Sequence, residues 1–194
     1  MKKIALVLAM LGLTTSAFAL ESGISETGLS YNEVGIGYSV EGDPDSDIKG
    51  MGIGITALLT KNIYVFGNAK NPSSAVWDTQ QYIAGVGVRT AITSNADLYA
   101  SISSVSSKFS STTVSVITSG TSFATGVRAI IAPKVEASLG LSYFDGSNRF
   151  LSVTETRYGV GLGYQLTDKV IGRTTYYMND DSQKGYSVSL GYMF

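Results

Sequence analysis

The sequence predicts an all-β fold, a ten-stranded antiparallel up-and-down barrel that crosses a membrane through its strands. Three observations predict it. Residues alternate with period two over most of the chain beyond residue 28; short polar turns take turns with longer connections; and no apolar run after residue 20 approaches the roughly 18 residues that a membrane helix needs.

The chain has 194 residues with a formal net charge of -1. Its first nineteen residues read as a secretory signal peptide. Lys2 and Lys3 form the basic start, Ile4 to Leu13 the apolar stretch and Ala17-Phe18-Ala19 the small-x-small cleavage site. Residues 1–19 are therefore expected to be removed and residues 20–194 to form one barrel domain. Loss of the two lysines would leave 12 basic against 15 acidic residues.

Strands are expected at about 29–41, 49–59, 63–70, 80–92, 98–106, 121–131, 135–144, 156–166, 170–178 and 186–194. The segments Val34-Gly35-Ile36-Gly37-Tyr38-Ser39-Val40 and Tyr158-Gly159-Val160-Gly161-Leu162-Gly163-Tyr164 carry the alternation most plainly. One face presents Val, Ile, Leu and Tyr, the other Gly, Ser, Thr, Gln and Arg. A strand facing bulk water would carry Lys and Glu on its polar side, whereas small uncharged residues with a few arginines suit a lumen.

A repeat organises the strands: Gly52-Ile53-Gly54-Ile55 aligns with Gly85-Val86-Gly87-Val88, Ala124-Thr125-Gly126-Val127 and Gly159-Val160-Gly161-Leu162. Each leads into a short turn, at 60–62, 93–97, 132–134 and 167–169. The other connections, 42–49, 71–80, 104–120, 145–155 and 179–185, are longer. Short turns at one end and long loops at the other are the asymmetry of outer-membrane barrels, with the turns in the periplasm. An eight-stranded barrel is the alternative, because 63–80 is the least regular segment.

The alternation places Val34, Ile36, Tyr38, Val86, Val88, Val127, Ile131, Leu139, Leu141, Tyr143, Val160, Leu162, Leu190 and Tyr192 outward. Inward fall Glu33, Gln81, Arg89, Tyr99, Ser101, Arg128, Glu136, Ser138, Arg157, Gln165, Arg173 and Tyr177. Strand three is ambiguous in parity. By analogy with the other short hairpins, its Tyr64, Phe66, Asn68 and Lys70 point inward.

Glu33, Arg89, Arg128, Glu136, Arg157 and Arg173 make up a lumen charge network. Arg89, Arg128 and Arg173 lie at similar depth near the short turns, together with Glu33 and Glu136. Such a set is either a charged constriction that tunes permeation or a paired network that closes the barrel, since guanidinium groups away from bulk water need partners. The inward glycines likewise either widen a pore or make room for Tyr31, Tyr99 and Tyr177.

The last strand ends on Phe194, with Tyr192, Leu190, Val188 and Tyr186 on the same face. A terminal aromatic preceded by alternating apolar residues resembles the signal by which bacterial outer-membrane barrels reach their assembly machinery. Deleting Phe194 is expected to lower the assembled, heat-modifiable fraction far more than Ser187→Ala, whose side chain points inward. Equal assembly of the deletion and the parent would refute that reading.

The strings Leu29-Ser30-Tyr31-Asn32-x-Val34 and Ile63-x-Val65-Phe66-Gly67 resemble a family of small outer-membrane barrels once described as quorum-sensing or immunity-eliciting factors. The resemblance runs over most of the mature chain. It implies the barrel architecture and brings no catalytic residues.

Composition narrows the function. With no Cys and no His, thiolate sites, the commonest zinc ligand and every His-containing triad are excluded, and no enzyme activity or cofactor is expected. No basic stretch suggests nucleic acid. Asp43, Asp45 and Asp47 begin like a calcium loop, but Ile48 stands at the glycine position and Gly54 at the closing glutamate, so a solvated acidic loop fits better. Between Ser101 and Ser122 fourteen of twenty-two residues are Ser or Thr, which suggests a hairpin rising above the membrane. Trp77 reads as an interfacial anchor.

The expected product is a non-enzymatic integral barrel of the outer membrane with a surface-exposed structural, adhesion or interaction role. The alternative is a narrow porin-like channel for ions or small solutes. Partners would be outer-membrane lipid and lipopolysaccharide and the assembly machinery, with any extracellular ligand left open.

Overall fold

The computed structural model describes residues 27–42, 48–75 and 77–194. The predicted signal peptide, Asp43, Asp45 and Asp47 lie outside the described residues. Within them ten strands run in chain order: β1 (Glu33–Glu41), β2 (Ile48–Thr60), β3 (Ile63–Ser73), β4 (Asp78–Thr93), β5 (Ala96–Ser110), β6 (Ser115–Ala132), β7 (Val135–Ser147), β8 (Ser152–Thr167), β9 (Val170–Asn179) and β10 (Lys184–Met193). Every strand pairs antiparallel with its sequence neighbours, and β1 closes on β10 from Glu33↔Met193 to Glu41↔Gly185. Closure leaves no edge strand, so the backbone groups of the wall are paired within it. The irregular segment after Ile63 is a true strand, with β3 paired to β2 and β4, and the count is ten rather than eight.

The two ends differ. At one end the turns are residues 61–62, 94–95, 133–134 and 168–169, and a register shift precedes each of them, between 58 and 60, 91 and 93, 130 and 132, and 165 and 167. A bulge of this kind increases local twist where the chain reverses. At the other end the connections that lie wholly within the described residues are 111–114, 148–151 and 180–183, shorter than the sequence suggested. Residues read as loop continue the ladders, because hydroxyl-rich stretches such as Ser103 to Ser110 still alternate and pair.

Strand length therefore varies around the barrel. β6 has 18 residues and β4 and β8 have 16, against 9 in β1 and 10 in β9 and β10. Roughly 9 to 11 residues suffice to cross a bilayer. The β4–β8 side stands above the rest, and its outward face changes from apolar to Ser104, Ser106, Lys108, Ser119, Thr121 and Asp145.

The outward face below that level is apolar, with Val34, Ile36, Leu139, Leu162 and Leu190 all exposed. Tyr82, Phe123, Tyr143, Tyr158, Tyr176 and Tyr186 stand exposed toward the long-loop side, and Tyr164, Tyr192 and Phe194 beside the short turns. Two aromatic belts around an apolar band are the surface of a membrane barrel.

The interior is packed. Inward Tyr64, Phe66, Ile83, Val105, Phe109, Phe144 and Val153 form one buried cluster with Leu29, Tyr31 and Ile48. Inward glycines make this possible: a Cβ at Gly87 would fall on the Tyr64 ring, at Gly126 or Gly140 on Tyr99, and at Gly185 on Tyr177. Trp77 packs against this cluster and is no outward anchor. It lies in the 74–77 connection, where its backbone carbonyl accepts from the Ser74 amide, so strand parity does not govern its direction.

Candidate functional site: the lumen

The first described residues enter the lumen. β1 begins at Glu33, not at residue 29. Gly28 adopts φ 74°, a conformation natural to glycine. Leu29 and Tyr31 are both 0% exposed. Residues 27–31 thus fill the short-turn mouth from within, a role that the same inward parity of Leu29, Tyr31 and Glu33 permits but does not announce.

Around Tyr31 lies a layer of three cations and three anions. Arg89 donates from Nη1 to Asp97 Oδ2 at 2.7 Å. Arg128 donates from Nη2 to Glu136 Oε2 at 2.9 Å and from Nη1 to the Ser30 carbonyl at 3.2 Å. Arg173 donates from Nη1 to Glu33 Oε1 at 2.6 Å, and its Nη2 lies 3.6 Å from Glu136. The guanidinium carbons of Arg89 and Arg128 stand 5.0 and 4.7 Å from the centroid of the Tyr31 ring. Each such contact contributes roughly 0.5 to 2 kcal/mol, more as water is excluded. Tyr31 also meets Tyr64, ring centroids 5.5 Å apart.

A second layer lies toward the long loops. Arg157 donates from Nε to Glu155 Oε1 at 2.9 Å, reaches Glu41 Oε2 at 3.5 Å, and stands 5.1 Å from the Tyr177 ring centroid. Asn179 Nδ2 donates to the same Glu155 oxygen at 2.9 Å. Lys70 is buried in this layer and interacts electrostatically with Glu41 and Glu155.

The charge set read from sequence is thus divided. Glu33, Arg89, Arg128, Glu136 and Arg173 share the short-turn layer, whereas Arg157 belongs to the other one, some strand length away. Sequence reasoning missed Asp97, Glu41 and Glu155, and with them the neutrality of each layer: the apparent arginine excess is cancelled. Period two contained the signal. Asp97 lies two residues before inward Tyr99, Glu155 two before Arg157, and Glu41 eight after Glu33. Tyr64, Phe66, Asn68 and Lys70 are all buried and inward, as the analogy with the other hairpins required.

No family model and no curated protein matches this chain. Solved structures do. The NanC porin aligns with a TM-score of 0.56 at 9% identity, covering 84% of this chain and 100% of that one. The KdgM porin aligns at 0.51 and 12% identity, covering 84% and 99%. The translocator domain of the autotransporter NalP from Neisseria meningitidis aligns at 0.50 and 14% identity, covering 100% and 98%. This chain has the fold of small outer-membrane β-barrels.

Proposed function

We propose that this chain is an integral outer-membrane barrel of the porin-like kind, narrow, closed at rest, and opened when residues 27–31 leave the short-turn mouth. The observation that carries the reading is Tyr31, held between two guanidiniums inside the barrel. The apolar band between two aromatic belts supports the membrane, and the fold shared with the NanC and KdgM porins supports a channel over a purely structural barrel. Two charge layers of balanced sign give an opened path no preference between cations and anions. The Tyr31 hydroxyl and the Asn68 amide make no hydrogen bond to the described residues, groups that a hydrated path would satisfy.

A surface-interaction role has its own support. The β5–β6 hairpin rises above the aromatic belt with Ser104, Ser106, Ser119 and Thr121 outward, an array of hydroxyls on a stiff ribbon.

Orientation and permeation are tested separately. A membrane-impermeant thiol reagent on intact cells is expected to reach Cys introduced at Ser111 or Ser182 but not at Asn62 or Asp168; labelling in the reverse sense would invert the barrel. In planar bilayers the wild-type protein should stay near the baseline conductance. A steadily conducting wild type would refute the closed lumen.

A further inference from the structure

Lumen glycines such as Gly87, Gly126, Gly140 and Gly185 are explained by the rings beside them. Gly67 is not. It lies in the middle of β3 with its missing side chain on the outward face, opposite Ile55 and Ala84. A Cβ built there would meet only the Ile83 carbonyl oxygen, 3.8 Å away, so packing within the chain does not call for glycine. Glycine inside a strand weakens it, and often marks a place where a ligand or another backbone comes close.

Outward Ala69, Ala84 and Ser104 continue the gap, and together they floor a groove of about 640 Å³ across β1 to β5. Large exposed apolar side chains bound it, Ile53 and Tyr82 toward the long loops and Ile55 with Val34 at the β1–β2 end. Its open floor follows the register row Gly67–Ala84–Ser104, which Ile55 and Val34 continue with large side chains. Two strand spacings of about 4.8 Å make that small-residue floor some 10 Å long, room for a segment of a fatty acyl chain. It also has a polarity gradient. Val34 and Ile55 lie at one end; Ser104 and Ser106 lie at the other, and exposed Lys108 follows two residues further along the same face of β5, toward the long loops.

We propose that this groove binds one acyl chain of a membrane lipid with a phosphorylated headgroup, its tail over Gly67 and Ala84 and its phosphate at Ser106 and Lys108. The proposal rests on the barrel being embedded in a membrane, and it is independent of whether the lumen conducts. Two features favour lipid over a second copy of the chain. The small-residue floor is bounded by the large side chains of Ile53, Ile55 and Tyr82, and its upper end offers an ammonium and hydroxyls suited to phosphate at the level where the apolar band ends.

The test uses the whole barrel in vesicles of phosphatidylcholine doped with phosphatidylglycerol carrying a photoactivatable group in the acyl chain, with cross-links mapped by mass spectrometry. Peptides of β3 and β4 around Gly67 and Ala84 are expected to be labelled several-fold above the outward positions of β8 and β9. Gly67→Leu should abolish that excess while leaving β8 and β9 labelling and heat-modifiability unchanged. Lys108→Gln should halve it or more for the phosphatidylglycerol probe and leave a phosphatidylcholine probe unaffected. Uniform labelling around the barrel, or an excess that survives Gly67→Leu, would overturn the proposal. So would a cross-linkable dimer that Gly67→Leu dissociates, which would assign the groove to a second copy. Absence of labelling everywhere would instead refute the membrane reading on which the groove depends. If Gly67→Leu fails to fold, Ala84→Leu fills the same groove from the neighbouring strand and is judged by the same outcomes.

Discussion

Arg128→Ala is expected to lower the melting temperature of the barrel strongly and to make it leak. The Arg128 side chain is 5% exposed and joins three things: the carboxylate of Glu136, the backbone carbonyl of Ser30 and the ring of Tyr31. Its loss removes two of the ties between the wall and residues 27–31, the hydrogen bond to the Ser30 carbonyl and the contact with the Tyr31 ring. It also strands Glu136, whose side chain is 15% exposed and retains only the longer contact to Arg173. Breaking a buried pair on one side costs about 3 to 5 kcal/mol, less where water reaches the remaining carboxylate. A balanced layer of three cations and three anions becomes net negative by one charge, so the leak should prefer cations. Thermal unfolding and reversal potentials in a salt gradient, measured on wild type and Arg128→Ala, check both halves. An unchanged melting temperature would mean that water already solvates the layer and that the pairing does not hold it shut. Arg128→Lys, which keeps the charge but not the planar fork that reaches two acceptors, should fall between the two.

The sequence carries the wall of this barrel more completely than its contents, and the reason is physical. Lipid on one side and a lumen on the other impose period two on every strand. One parity therefore placed Arg89, Arg128, Glu136 and Arg173 inside, and it extended by analogy to Tyr64 through Lys70. Polarity misleads where it resembles a loop signal. Asp97 falls in the turn expected at 93–97 and Glu155 closes the connection expected at 145–155, although both continue the inward parity of Tyr99 and Arg157; in a barrel a carboxylate near a strand end can face a guanidinium across the lumen as readily as it faces water. Nor does parity tell who fills the space. Leu29 and Tyr31 have the same inward parity as Glu33, yet only the closed fold distinguishes another pair of ladder residues from a segment lodged in the mouth. Gly67 is an outward counterpart: the inward parity of Phe66 and Asn68 turns it toward the membrane, but only the fold shows the open space over its Cα.

Tyr31→Ala is expected to raise single-channel conductance at least several-fold while the barrel stays folded. The ring occupies the middle of the short-turn layer, fully buried, with Arg89 and Arg128 on it and Tyr64 beside it. The arginines do not depend on the ring for their charge partners: Arg89 keeps Asp97 and Arg128 keeps Glu136. Truncating a buried aromatic costs about 3 to 5 kcal/mol when the cavity stays empty, and less here if water fills it, since the walls of the space are charged. Stability should thus fall less than in Arg128→Ala while conductance rises more. Selectivity separates the two further. The charge layer remains neutral without Tyr31, so the opened pore should show a reversal potential near zero in a salt gradient, against the cation preference expected for Arg128→Ala. Tyr31→Phe supplies the control: the hydroxyl has no hydrogen-bond partner among the described residues, and the phenylalanine variant should remain closed. A silent Tyr31→Ala barrel, with heat-modifiability intact, would place the barrier elsewhere, at the layer of Glu41, Glu155 and Arg157. Opening by Tyr31→Phe as well would mean that hydration of the hydroxyl, and not the bulk of the ring, keeps the mouth shut.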